Sequence, residues 1–130
     1  MRVLAIDHGS VRCGCALSDP SGTIVRPLAA ISPDASSVTA LVAEHEVGLV
    51  VVGLPISLDG SEGAQAAEAR RFAALVTELV AVPVETYDER LTTRMAAASQ
   101  KAGSRASRDS LAAAHLLDSY LAWVASEVDR

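Results

Sequence analysis

Apolar residues along the chain fall into short blocks separated by polar and turn-forming residues, and the period changes from block to block. Arg2 to Asp7 (RVLAID) is an apolar run ending in a carboxylate, followed by the turn HGSVRCG; it reads as a buried strand and its exit. Cys13 to Asp19 (CGCALSD) meets the turn signal PSG, and Thr23 to Ile31 (TIVRPLAAI) resumes an extended pattern. These segments predict three consecutive antiparallel strands, the third at an edge or bulged because it contains Pro27. SPDASS supplies capping residues for a helix from about Ala35 to residue 46. Leu49 to Gly53 is continuously apolar, as expected of a central strand covered on both faces, and the loop LPISLDGSEG follows it. Phe72, Leu75, Val76 and Leu79 recur at helical spacing within Gln65 to Val80, which predicts a helix facing the sheet. Val82 to Tyr87 reads as a fifth strand, Thr92 to Lys101 as a short helix, and Arg108 to Val128 as a final helix. Three antiparallel strands followed by alternating helices and strands predict one α/β domain over residues 1–130. Its architecture would be a five-stranded mixed sheet with helices on both faces.

Composition narrows this picture. The chain is 50% hydrophobic but only 3% aromatic, so Val, Leu, Ile and Ala must fill the core and let helices approach the sheet closely. The longest apolar run, Val47 to Ile56, is about half of what a membrane-spanning helix needs, which leads to the expectation of a cytoplasmic protein with no membrane partner. Two cysteines, Cys13 and Cys15, are too few for a disulfide framework or a zinc site and read as thiols filling core positions. His45 and His115 read as surface residues.

Charge is unevenly spread. The net charge is -5, which argues against a protein that coats nucleic acid by charge alone. Residues 90–108 nevertheless contain Arg90, Arg94, Lys101, Arg105 and Arg108 with no acid, between two acid-bearing segments. This stretch reads either as a solvated face or as a phosphate-contacting strip beside a metal site.

In open α/β sheets, chemistry collects at the carboxyl ends of the central strands. Asp7 ends the first strand, Asp88 and Glu89 end the fifth, and Asp59 and Glu62 lie in the loop after the fourth. Asp109 starts the last helix. At about 100° per residue it shares a stripe with Ala113, Leu116, Tyr120 and Val124, whereas Asp118 falls opposite and should face water. An inward carboxylate is costly unless paired or coordinated, so Asp109 reads as an N-cap or as a metal ligand. Carboxylates without clustered His or Cys form a hard oxygen-donor set suited to Mg²⁺ or Mn²⁺ rather than zinc. Such ions can activate water against a phosphodiester without a protein nucleophile. Ser10 has no His base and orienting partner, so a hydrolase triad has little support.

Four motifs, AIDHGSVRCGCALSD, VVVGLPISLDGSEG, YDERLTT and RDSLAAAHLLDSYL, together resemble the RuvX family, also called YqgF. Its members are described as Holliday junction resolvases or pre-16S rRNA processing nucleases. The resemblance spans nearly the whole chain, in order, and implies a ribonuclease H-like fold. It implies Asp7, Glu89 and Asp109 as the catalytic, metal-holding set. It further implies contacts to substrate phosphate by Arg12, Arg90, Thr92 and Thr93, which Arg94, Lys101, Arg105 and Arg108 extend by their charge. Gly53, Pro55, Asp59 and Gly60 match a substrate-facing rim after the fourth strand. Related RuvC resolvases and ribonucleases H place an acid after that strand; here it ends in GLP, and Glu89 has to substitute.

The leading expectation is a divalent-metal-dependent endonuclease on structured nucleic acid, acting at the 5′ end of precursor 16S rRNA. Branched DNA, as in a Holliday junction, is the alternative substrate. RNA is preferred because a lone acidic monomer cannot present two sites to a symmetric junction; a homodimer would weaken that objection. Ribosomal precursor particles are then the expected partners. A reading of another class is a module that binds nucleic acid or ribosomal particles without cleaving them. A kinase-type ATPase is disfavoured at 130 residues, since that architecture closes two such domains around its nucleotide.

Overall fold

The structure, a computed structural model, describes residues 1–92 and 108–128. Its order is β1 (Arg2–Asp7), β2 (Cys13–Ser18), β3 (Val25–Ile31), α1 (Ala35–His45), β4 (Val47–Leu54), α2 (Ala64–Leu79), β5 (Val84–Asp88), a 3₁₀ turn (Glu89–Thr92) and α3 (Arg108–Val128). The five strands lie in the order β3-β2-β1-β4-β5. β1 pairs antiparallel with β2 and parallel with β4, and β5 pairs parallel with β4, so the sheet is mixed as expected. Pro27 stands on the outer strand β3, and the β2–β3 register shifts between Cys13 and Cys15. That is where a residue without an N–H is tolerated.

Each helix has a local reason to start or stop. Asp34 caps α1 by accepting from the Ser37 N–H at 2.8 Å. Glu46 closes the same helix in the left-handed region (φ 54°), donating its N–H to the Val42 carbonyl, and the chain turns directly into β4. On α2, Ala66, Ala69, Phe72, Ala73 and Val76 form the buried stripe. Leu75 and Leu79, expected on that face, are exposed instead. The small alanines bring the helix down along the line through Ala69 and Val76, which leaves both leucines off the contact.

Two cores result, one on each face of the sheet. Leu4, Ile6, Cys13, Cys15, Val50 and Val52 meet Val38 of α1 and Phe72 and Val76 of α2. Val3, Ala5, Ala16, Val51 and Tyr87 meet Ala113, Leu116, Leu117 and Tyr120 of α3. The strand pattern therefore alternates between two apolar faces, which is why β4 reads as a continuous apolar run. Both cysteines pack in the first core, and burial pushes the Cys15 thiol up to about 12, leaving it inert.

Three expectations are corrected. His115 is buried rather than at the surface, and neither ring nitrogen has a hydrogen-bond partner among the described residues. His45 is likewise partly buried at the end of α1. Asp118 is half-buried rather than facing water, and burial raises its carboxyl above the ordinary range while the nearby His115 pulls it down. The chain leaves β5 through a 3₁₀ turn at Glu89–Thr92; the remainder of the short helix expected to Lys101 lies outside the described residues. Among the described residues no helix is long and apolar enough to cross a membrane.

Candidate active site

β1, β4 and β5 run parallel, so Asp7, Leu54 and Asp88 bring their carboxyl ends to one edge of the sheet. Asp7 is the last residue of β1, and Glu89 is the first residue past β5. Their carboxyl groups meet in a side-chain hydrogen bond. Burial raises the Glu89 carboxyl most, followed by this hydrogen bond, the Asp7 charge and the Asp88 charge, which together push it up to about 9. Two carboxylates that close share a proton rather than both ionise.

Gly53 accounts for the Glu89 position. A Cβ built on Gly53 would lie 2.7 Å from Glu89 Oε1 and 2.9 Å from its Cγ. The Glu89 side chain thus lies directly across the β4 backbone, in space that any other residue at 53 would fill. The GLP sequence that lacks an acid after β4 is the feature that admits the acid from β5. Gly9 has a similar steric role in the turn after Asp7, where a Cβ would come 2.5 Å from the Arg12 carbonyl oxygen.

A cavity of ≈ 150 Å³ opens over the pair, lined by Asp7, His8, Ser10, Pro55, Gln65 and Glu68 along with Glu89. Gln65 and Glu68 come from the first turns of α2 and were not singled out in the sequence, because nothing in their spacing separates them from an exposed helix face. His8, at the mouth, packs on Phe72 with ring centroids 4.7 Å apart. A second, shallower cavity of ≈ 390 Å³ runs from Glu89 and Arg90 to Pro55 and Leu58.

The other sequence-predicted residues divide into three groups. Arg12 is exposed in the turn after β1. Arg90 forks onto Asp88, with Nη2 to Oδ2 at 2.6 Å and Nε to Oδ2 at 2.8 Å, and its Nη1 donates to the Ser57 carbonyl at 3.4 Å. It ties the β5 exit to the loop after β4 while remaining exposed. In that loop Asp59 accepts from the Ser61 N–H at 2.9 Å, Gly60 takes a positive φ of 89°, and Glu62 is locked to Arg70 at 2.6 Å. Thr92 ends the 3₁₀ turn and Arg108 opens α3, but their side chains lie outside the described residues, as do Thr93, Arg94, Lys101 and Arg105 entirely.

Asp109 is the second residue of α3, and its side chain also lies outside the description. Its backbone is placed by its neighbour: buried Ser110 accepts from the Cys15 N–H at 3.4 Å. Cys15 adjoins Gly14, the register partner of Asp7, so the first turn of α3 sits at the same sheet edge as the acid pair. Among the described residues no three His, Cys, Asp or Glu side chains cluster as a metal site. Asp7 and Glu89 are a hard-oxygen pair whose proximity raises the Glu89 carboxyl, and a divalent cation relieves the same repulsion.

A family model described as RuvX, Holliday junction resolvase, matches residues 1–123. The chain belongs to the RuvX family. A relative from Anaeromyxobacter sp. (strain Fw109-5), named "Putative pre-16S rRNA nuclease", is 46% identical over 98 residues, covering 72% of this chain and 72% of its own. One of the same name from Thermobifida fusca (strain YX) is 44% identical over 116 residues, covering 81% and 73%. Among solved structures, the chain is similar to T. thermophilus RuvC in complex with a Holliday junction substrate, with a TM-score of 0.63 at 18% identity, covering 95% and 96% of the two chains. It is also similar to the fowlpox virus Holliday junction resolvase, with a TM-score of 0.60 at 14% identity, covering 95% and 99%. The fold is therefore ribonuclease H-like, of the RuvC type, and membership of the RuvX family implies a general dependence on divalent metal.

Proposed function

We propose that this protein is a divalent-metal-dependent endonuclease that processes the 5′ end of precursor 16S rRNA in the cytoplasm, acting on ribosomal precursor particles. The observation that carries the reading is the Asp7–Glu89 pair, brought from two strand ends into one small cavity over Gly53. The names of the relatives supply the substrate. Asp7, Glu89 and Asp109 would hold Mg²⁺ or Mn²⁺, whose role is to make a bound water nucleophilic and to offset charge on the departing oxygen.

The chain's own residues do the rest. Asp7 is fixed at the end of a central strand, and Glu89 is fixed by the 3₁₀ turn and by the Arg90 clamp behind it. Arg12 and Arg108, with the basic stretch from Arg94 to Arg105, would meet substrate phosphates, and Thr92 and Thr93 extend that contact. Gly53, Pro55, Asp59 and Gly60 form the rim on the α2 side. Cleavage of a Holliday junction is the second reading, favoured by the description of the family model.

Matched precursor 16S rRNA and four-way DNA junctions, incubated with Mg²⁺, Mn²⁺ or EDTA, test both readings. Wild type should cut the RNA only with metal, and Asp7→Asn should not cut. Cutting of the junction alone would transfer the assignment to branched DNA. Binding of either without cutting would leave a non-catalytic module.

A further inference from the structure

Three of the four aromatic rings of the chain's Phe, Tyr and Trp residues gather on one side, away from the acid pair's cavity. Tyr87, Tyr120 and Trp123 pack with centroids 5.6 to 6.2 Å apart. They line an open groove of ≈ 920 Å³ between β5 and α3, whose other walls include Glu85, Val124 and Glu127. Trp123, the chain's single tryptophan, is 49% exposed there.

The groove runs along a strand edge. β5 ends the sheet among the described residues, and it uses alternate residues to bond β4, beginning with the Pro83 carbonyl accepting from Val50 N–H. That alternation turns the N–H and C=O of Val84 and Thr86 outward. Among the described residues, the charged side chains lining the groove are acidic: Glu85, which accepts from Tyr120 Oη, Glu127, which has a partner of its own, and Asp88, which Arg90 engages from behind.

We propose that this groove docks an extended peptide rich in Lys and Arg, added as a strand to the β5 edge. Backbone pairing supplies the affinity common to strand addition, and alternate side chains of the peptide fall over the exposed Trp123 ring and Glu85. A cation over Trp123, the one exposed ring of the three, gains from the ring quadrupole as well as from the carboxylate. The same acids repel a phosphate backbone. Antiparallel pairing of β5 with a second copy centred on this segment would bring two Glu85 side chains together, which disfavours self-association.

Trp123 fluorescence reads the test directly. The whole protein is titrated with a ten-residue peptide alternating Lys or Arg with Val, with its Glu counterpart, with the basic peptide N-methylated at alternate residues, and with a single-stranded RNA oligonucleotide. The basic peptide should give a saturable change that the other three do not. Glu85→Gln, which keeps an acceptor for Tyr120, should weaken binding about tenfold. Thr86→Pro, which removes one outward N–H and leaves the bonds to β4, should abolish it, with circular dichroism verifying the fold. No saturable response to the basic peptide, an equal response to the acidic or N-methylated one, or a response to RNA would overturn the proposal. So would concentration-dependent self-association detected by sedimentation and quenching Trp123 without peptide.

Discussion

Gly53 and Glu89 are one device split across two strands. The carboxylate of Glu89 lies over the β4 backbone only because residue 53 has no side chain. Gly53→Ala would drive a methyl group against Glu89 Oε1 and Cγ and push the acid away from Asp7. A displacement of even about 1 Å at a reacting centre can cost a hundredfold in rate. Gly53→Ala should therefore lose about two orders of magnitude in metal-dependent cleavage while melting as a folded protein, as steady-state kinetics and calorimetry would record. Glu89 itself makes a pH prediction. Its carboxyl is raised from the usual range near 4.5 to about 9, so without metal it stabilises the fold most below its unfolded pKa. That contribution is lost as pH climbs from the ordinary glutamate range through about 9. In EDTA, wild type should lose melting temperature over this window, whereas Glu89→Gln should show a flatter profile. Added Mn²⁺ should restore the wild type most at the alkaline end and leave Glu89→Gln unchanged. Equal slopes for both proteins in EDTA would show that the pair carries no such strain.

At the scale of elements, α3 packs on one face of the sheet, leaving the groove beside β5 open, and its buried stripe through Ala113, Leu116, Leu117 and Tyr120 is the second core. Leu117 is fully buried there. Leu117→Ala should cost about 2–5 kcal/mol in urea unfolding, the range for a large core residue cut to alanine. It should also weaken cleavage, because the same helix carries Asp109, the third acid proposed for the site. Ala113, Leu116 and Tyr120 were legible in the sequence because a 21-residue helix repeats its period several times, whereas Leu117 was not singled out and Val124, expected on the stripe, is only partly buried. β1 and β4 were legible as apolar runs, and the acid pair was legible because strand ends are where such chemistry gathers. Other features depended on contacts that no period encodes. Leu75 and Leu79 look inward by spacing, yet the alanines of α2 decide where that helix touches. His115 looks like a surface residue on an otherwise outward position, and only the assembled structure reveals its burial. The Glu89–Gly53 contact joins residues 36 apart and was visible in sequence only as a missing acid.

For the molecule as a whole, the problem is how a chain of net charge -5 holds a polyanion. The acid pair cannot help, since without metal it adds negative charge where a phosphate must come. Arg90 contributes little free charge, because Asp88 holds it on both carboxylate oxygens. Candidates for the attraction are Arg12, exposed Arg71 beside His8 and Ser10, and the rest of the acid-free stretch that ends at Arg108. Each phosphate neutralised on a single strand contributes about -0.7 to the slope of log K against log salt, and about -0.9 on a duplex. A handful of cations sets a shallow slope, so recognition must rest on the shape of the substrate and on metal-bridged contact more than on charge. Replacing Lys101 and Arg105 together by alanine should lower the slope by about 1.4 on single-stranded RNA. It should raise KM while leaving kcat near wild type, because neither residue belongs to the acid set. Binding measured by anisotropy across a salt series, in Ca²⁺ or EDTA to prevent cleavage, gives the slope. An unchanged slope would mean that Lys101 and Arg105 make no phosphate contact.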